Sequence, residues 1–599
     1  MAKIILLASI FLNILGWNND LKAKQLSPED EYRVNFEKRK DKLLRYFAML
    51  NQKSFVVSLA KFSTNTDIEG AIEIFDSLIT EPSGDMFFMY PSLMTYLYAE
   101  DKMPEWLKRK YRNVWKTYTP FRGDTENHWL MYYVSLYLAS QRWSNQDGSE
   151  WYTGKSSEEN FEEARGWIDK WIEITTTIGQ GEFDSSHYMP FFLIPMFMLY
   201  EFSQDSLMKL KAQMMLDYLF SDFAVEHLSN CYCGAHSREY PPEAMNPRNS
   251  LASAFSALYF GSDPNFERNL SRYGIAVFPA VTSYILPYII YKIATDRELP
   301  YEHRERKRVR NIIRYGSERN PAVYKYTYMT RDYCMGSLQG GILQPIHQHS
   351  WDITFADARE YNTVFSVHPY SSEIELGMFF PEEMKILPEL VDRAHKFYRN
   401  PDKLISSSPY ERIFQYKGTM IVLYGLDRMN DREKYKHVNI FIPRYLDHFE
   451  MDTSGWIIGS MGNAYFGMKI IGGRFEMKVD SISYRIRVYG DRICLIVEAG
   501  GESEFGNFGK FRDGLRSSKY SFDSRDFSVR YKGLRGFEMF FSYDGKRMLN
   551  GKIYPLDWGL FDGVYLRSGV GSKVLEIKYK ERMRKIDFNN LKIIDETTK

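Results

Sequence analysis

Residues Trp129 to Ala139 read WLMYYVSLYLA, and this stretch decides the fold. As a helix it is apolar on nearly every side, so it must be enclosed on every side. Tyr188 to Phe202 and Leu251 to Phe260 are segments of the same kind. Helices of another character lie between them. Ser156-Ser157-Glu158-Glu159 is a capping box that opens an amphipathic run, with Phe161, Ala164, Ile168, Trp171 and Ile172 along one face. Leu207 to His227 is a second amphipathic run, with Lys209, Lys211 and Asp217 among its polar positions. Enclosed helices alternating with half-exposed ones are the pattern of a two-layer ring, an (α/α) toroid. A plain bundle is the competing arrangement.

The pattern changes near residue 320. Met420 to Tyr424, Val438 to Ile442, Tyr465 to Ile471, Ser483 to Val488, Ile493 to Val497, Phe537 to Ser542 and Val574 to Tyr579 read as strands. Gly472-Gly473, Gly500-Gly501 and Tyr543-Asp544-Gly545 punctuate them. Short strands with such turns imply an antiparallel β-sandwich. The expected class is therefore α+β, with a helical toroid over 24–320 and a β-sandwich over 321–599. The basic run His303 to Arg310 (HRERKRVR) at the junction reads as a solvated helix face.

Lys+Arg 78 against Asp+Glu 77 leaves no field that would gather nucleic acid. An anionic partner must be met by a local cluster of donors. The 44 Tyr, 41 Phe and 11 Trp fill a large core, and the surplus suits a carbohydrate cleft, where flat rings stack on sugars. Lys3 followed by the apolar run Ile4 to Leu15 reads as a signal peptide over 1–23, which places the protein in the periplasm or outside the cell. No later segment reads as a membrane span: the very apolar stretch from Met189 is short and carries Pro190 and Pro195. Cys231, Cys233, Cys334 and Cys494 form no zinc-ribbon pattern.

Three polar clusters stand at equivalent places. Asp124-Thr125-Glu126-Asn127-His128 precedes the first enclosed helix, Asp184-Ser185-Ser186-His187-Tyr188 the next, and His236-Ser237-Arg238-Glu239-Tyr240 the third. One amphipathic helix separates the first two, so successive inner helices run parallel and their N-termini emerge at one mouth. Helix N-termini favour an anion there. A uronate presents its carboxylate at C6, and removing the C5 proton builds enolate charge onto that group. Asn127 with an Arg or His is suited to stabilise it. Tyr and His are suited to take the C5 proton and to protonate the leaving O4.

The Asn127-His128 pair entering an enclosed helix, the later His187-Tyr188 pair, and a helical half followed by an all-β half resemble the heparinase II/III-like and alginate-lyase group of polysaccharide lyases. The resemblance implies β-elimination on a uronic-acid polymer: alginate, glucuronan, ulvan or a glycosaminoglycan. It implies that Asn127 and His128 neutralise the carboxylate, that Tyr188 is the leading acid/base and that His187 is the alternative base. Arg238 would bind substrate carboxylate or sulfate, with Tyr240 in support and His236 and Glu239 beside them. No cofactor is implied for the chemistry.

A further cluster, QPIHQHSWD, places His347 and His349 on one side of a strand, with Asp352 following. Together these three fit a metal such as Zn²⁺, and members of the resembled group carry a structural metal in the β half; Ca²⁺ is the other candidate ion. Equally, this segment reaches into the cleft with Tyr326 or Tyr328 alongside, or forms a plain polar strand edge. Two other functions compete with the lyase: a glycoside hydrolase using Asp124, Glu126, Asp184 or Glu239 as paired carboxylates, and a non-catalytic glycan-binding protein.

Overall fold

The computed structural model describes residues 26–123, 125–309, 322–342, 348–371, 400–431 and 433–597. The leader read over 1–23, the candidate carboxylate Asp124, Arg310 of the basic run and the candidate ligand His347 lie outside these. The chain first forms α1 Pro28–Ala48, α2 Phe55–Thr64, α3 Ile68–Thr80, α4 Met86–Ala99, α5 Glu105–Thr117, α6 Glu126–Arg142, α7 Ser157–Ile178, α8 Met189–Phe202 and α9 Ser206–Val225. Helices α2, α4, α6 and α8 pack in turn side by side. The helical piece Leu251–Phe255 follows on α8, and the turn Val277–Ala280 touches α8, α1 and α2, bringing the ring back to its start. Helices α4, α6 and α8 are buried over most of their surface, as their apolar circumference requires. α7 lies outside α6 and carries the expected capping box, Ser156 with Glu159. No helix among the described residues is long and apolar enough to cross a membrane.

The β half is antiparallel in every described pairing. It has sheets of thirteen, six and five strands. Its seven expected strands are present within a residue or two, except that Ile493–Val497 extends to Arg492–Gly501. One core lies between the thirteen- and six-stranded sheets, with Ile353, Ile440 and Val488 facing Val422, Phe466 and Val497. A second lies on the other face of the six-stranded sheet, where Ile421, Leu423 and Ile496 meet Val529, Tyr531 and Phe541. The middle sheet is thus buried on both faces, which is why Met420–Tyr424 is a continuous apolar run.

Three expectations are corrected. His303 to Val309 is no solvated helix: Tyr301–Arg308 is the first strand of the thirteen-stranded sheet, β1. Its alternation has period two, and His303, Glu305 and Lys307 point inward and are buried. They are tolerated because they are paired. Lys307 Nζ lies 2.5 Å from Asp222 and 3.1 Å from Asp184. The last helix of the ring ends at Thr295, so the change from helix to strand falls before Tyr301, ahead of the boundary read near 320. Asp217 on α9 is no surface position either. It is buried, accepting the Tyr284 hydroxyl at 2.6 Å and the Arg584 guanidinium at 2.8 and 3.0 Å, which ties the C-terminal strands to the ring.

Candidate active site

The mouth of the ring is built by caps. Thr125 caps α6, its hydroxyl accepting the His128 amide at 3.4 Å. Glu126, in the first turn, sits where the helix end favours negative charge. Its carboxylate accepts the amides of Gly181 (3.1 Å) and Glu182 (2.8 Å), the Trp171 indole (3.0 Å) and the Arg308 guanidinium (2.5 Å). Glu182 in turn accepts the Asn127 amide at 2.9 Å and pairs with Arg238 at 2.7 Å. Ser185 serves α8: its hydroxyl accepts the Tyr188 amide at 3.0 Å and donates to the Arg238 carbonyl at 3.0 Å. Asp184 (φ 50°) and Arg238 (φ 56°) hold left-handed backbone in the two loops that meet here. Each costs on the order of 1 kcal/mol or more for a non-glycine residue, so the surrounding bonds must hold the loops in place.

These loops bring His187, Tyr188, Arg238 and Tyr240 together. The hydroxyls of Tyr188 and Tyr240 are 2.6 Å apart, and the Arg238 guanidinium stands 4.3 Å over the Tyr188 ring. The His187 ring centre lies 4.5 Å from that of Tyr240 and 4.9 Å from that of Tyr188, with 29% of the side chain exposed. Its Nδ1 is 2.7 Å from Glu243 Oε1. Phe191 and Phe87 continue this aromatic wall to His128, whose ring centre is 5.5 Å from that of Phe87. The His128 ring packs on the bare Cα of Gly123 (φ 74°), where a Cβ would come within 2.3 Å of Nδ1. Asn127 lies beneath the rim, fully buried. Its Oδ1 accepts the Thr125 hydroxyl at 2.7 Å, and its Nδ2 has no hydrogen-bond partner among the described residues. A buried donor of this kind is costly unless something accepts from it.

Electrostatics separate the groups. Burial and the adjoining Tyr188 phenol push the Tyr240 hydroxyl up, so Tyr240 keeps its proton at neutral pH. Although burial alone would lower it, the Glu182 carboxylate drives Arg238 further up, so its charge is permanent. Burial takes His187 down to about 4, leaving a neutral imidazole at neutral pH.

The structure does not bring every expected residue here. His236 is buried below the rim. Its Nδ1 meets the Asp184 carbonyl at 2.5 Å, and its ring is stacked 6.2 Å from that of His349. Glu239 is buried under Ser186, whose hydroxyl contacts both carboxyl oxygens at 2.7 and 2.8 Å. Tyr328 faces the sandwich interior, donating to Glu504 at 2.9 Å beneath Arg535, because successive residues of its strand alternate faces. His349 and Asp352 do stand together, Nε2 to Oδ2 at 3.5 Å, with the other Asp352 oxygen taking the Gly234 amide at 3.1 Å. Among the described residues, the oxygens of Asp184, Glu226 and Glu305 come within 4.8 Å of one another. That space is already bridged by the ammonium groups of Lys307 and Lys325, so this donor set suits lysine and not a metal.

Glu182, Glu243, Phe87 and Phe191 were not anticipated. Glu243 had a signal: it follows Tyr240-Pro241-Pro242, a helix start that turns the next carboxylate back toward the same rim.

The loop carrying Arg238 and Tyr240 rests on the sheet through glycine. A Cβ on Gly336 would lie 2.6 Å from the Gly234 Cα, backbone against backbone. Gly336→Ala is expected to cost about 1–3 kcal/mol, by overpacking. Thermal unfolding measures it, and an unchanged midpoint would show that the loop does not rest there.

No family model and no curated protein matches this chain. Among solved structures, a mutant of the heparan sulfate lyase HepC from Pedobacter heparinus is similar at 11% identity over 90% of this chain and 86% of that one, with a TM-score of 0.38. HepC itself is similar at 8% identity over 85% of this chain and 84% of the other, with a TM-score of 0.23.

Proposed function

We propose that this protein is an exported polysaccharide lyase that cleaves a uronic-acid polymer by β-elimination, leaving a 4,5-unsaturated uronate end. One observation carries the reading: the Tyr188 hydroxyl sits 2.6 Å from a second phenol, beneath a permanent cation and beside a neutral, partly exposed imidazole. Negative charge developing on the Tyr188 oxygen is stabilised by the Tyr240 donor and by Arg238. Tyr188 is then suited to carry a proton between C5 and the leaving O4, with His187 as the alternative base. The buried Nδ2 of Asn127 and the His128 ring meet the C6 carboxylate as enolate charge builds there. Arg238 holds its place through Glu182 and adds positive potential for a carboxylate or sulfate. Bond by bond, the C5 proton passes to the base, the C4–O4 bond breaks, and O4 leaves with a proton. No cofactor enters that balance. His349 and Asp352, just before and within the strand Trp351–Phe355, are where a structural ion would sit.

The hydrolase reading is less well supported. Glu126, Asp184 and Glu239 are buried and bonded to Arg308, to the lysines and to Ser186, so no two of them face a common bond. The test is the ultraviolet absorbance of the conjugated enoate product across a panel of uronate polymers. A rise with one polymer is expected. New reducing ends without absorbance would sink the elimination. Binding without either would leave a glycan-binding protein.

A further inference from the structure

We propose that Glu243 is the positioning residue of this site. Its carboxyl group, held through Ser186 against Glu239, sets which ring nitrogen of His187 carries the proton, and so whether the nitrogen turned to the cleft is a base or a donor. The role in turnover rests on the lyase reading; the proton placement does not.

The geometry is specific. Glu243 Oε1 is 2.7 Å from His187 Nδ1, which leaves Nε2 as the nitrogen able to meet a ligand. The other Glu243 oxygen, Oε2, lies 3.4 Å from the Ser186 hydroxyl, and that hydroxyl also contacts Glu239 at 2.7 and 2.8 Å. Glu243 is further fixed because it sits in the short helix Pro241–Met245, whose first turn closes on the Tyr240 carbonyl at 3.0 Å. The charged and titratable groups around it are Glu239, His187, Arg238 with its partner Glu182, the phenols of Tyr188 and Tyr240, and His349 beyond Glu239. Among the described residues, the permanent cation beside them, Arg238, is committed to Glu182, so it does not hold both buried glutamates ionised.

Burial drives Glu239 well above the usual carboxylate range and Glu243 up to about 7, while it takes His187 down to about 4. An ion pair with charged His187 is thus the disfavoured arrangement, although the two groups are within bonding distance. Below neutrality Glu243 is a carboxylic acid donating to Nδ1, and the imidazole proton sits on Nε2. Above neutrality Glu243 is a carboxylate, which needs a donor, so the single remaining proton sits on Nδ1 and the Nε2 lone pair faces the cleft. The pair has then lost one proton to solvent in total, and the imidazole is neutral on both sides. A neutral histidine changes tautomer because its partner titrates. Within the lyase reading, the acid side presents an N–H donor to the substrate, and the basic side presents a base for the C5 proton.

The test is nitrogen NMR of the full-length protein with ¹⁵N-labelled histidine, from about pH 5 to pH 9, a range that brackets an ordinary histidine. His187→Gln assigns the resonance. The ring is expected to pass from protonated Nε2 to protonated Nδ1 with a midpoint at about 7. In Glu243→Gln one tautomer is expected throughout. A single tautomer across the range in the unaltered protein overturns the proposal, as does the same crossover in Glu243→Gln. The unaltered protein decides the point even if that variant fails to fold. Once a polymer is found, Glu243→Gln is expected to lower kcat about tenfold or more with KM within about twofold, and to remove the acid limb of the kcat profile. If no polymer is cut, the NMR result still stands or falls by itself.

Discussion

Tyr188→Phe is expected to lower kcat on the cognate uronate polymer by about three orders of magnitude, within the range typical of a lost acid–base group, while KM stays nearly unchanged. The substitution removes one oxygen. Its ring still packs on Phe191 and under Arg238, so the wall of the cleft survives. The bond lost is the one to Tyr240, and a single hydrogen bond of this kind costs about 1 kcal/mol of stability. A large fall in turnover with an almost unchanged melting temperature would therefore locate the proton transfer on that oxygen. Tyr240→Phe separates carrier from helper: it leaves the Tyr188 hydroxyl and removes only its donor, and about a tenfold fall is expected. If Tyr188→Phe retains most of its turnover, the acid is Tyr240 or the proton transfer belongs to His187, and the proposed role of Tyr188 is lost.

Much of this arrangement was legible in the chain. WLMYYVSLYLA has no polar face, so its burial followed from composition alone. Repetition of polar clusters before successive enclosed helices led to His187, Tyr188, Arg238 and Tyr240, which do meet. The failures share a physical cause. In HRERKRVR, charge density outweighed the period-two alternation, because the carboxylates that make Lys307 buriable, Asp222 and Asp184, lie on α9 and in the loop before α8. Asp217 looked exposed because its partner Arg584 comes from the far end of the chain. Tyr328 is one residue from Thr327, and a strand sends these two to opposite faces: Thr327 bonds Glu226 at the ring, and Tyr328 bonds Glu504 in the sandwich. Periodicity reports burial well, but a charge is judged only when its partner is in view.

The ion cluster behind the site yields the second large effect. Lys325→Met is expected to destabilise the protein by about 3–5 kcal/mol, the usual result of stranding buried charge. Lys325 Nζ bonds Glu226 at 2.8 Å and also Asp184, while Lys307 reaches Asp222 at 2.5 Å, Glu305 at 3.0 Å and Asp184 at 3.1 Å. Four carboxyl groups thus face two ammonium groups in a buried space. The imbalance is met by protons. Burial pushes Glu226 up to about 8 and Asp222 upward as well, whereas the two lysines hold Asp184 and Glu305 below the usual range against their own burial. Two ionised carboxylates then balance two ammonium ions at neutral pH. Removing Lys325 leaves one cation for both. Lowering the pH should return part of the loss, because a protonated Asp184 no longer needs the missing charge. The unaltered protein carries the opposite sign. Glu226 has a folded pKa above its unfolded value, so its contribution is complete below about 4.5 and is lost as the pH rises through about 8. Thermal unfolding between neutral and alkaline pH should show that decline, and Glu226→Gln, which cannot ionise, should flatten it. An alkaline limb unchanged in Glu226→Gln would place the titration elsewhere. Asp184 also holds His236 through its carbonyl and stands three residues before His187. Sub-denaturing loss of Lys325 should therefore disturb the cleft before the fold gives way.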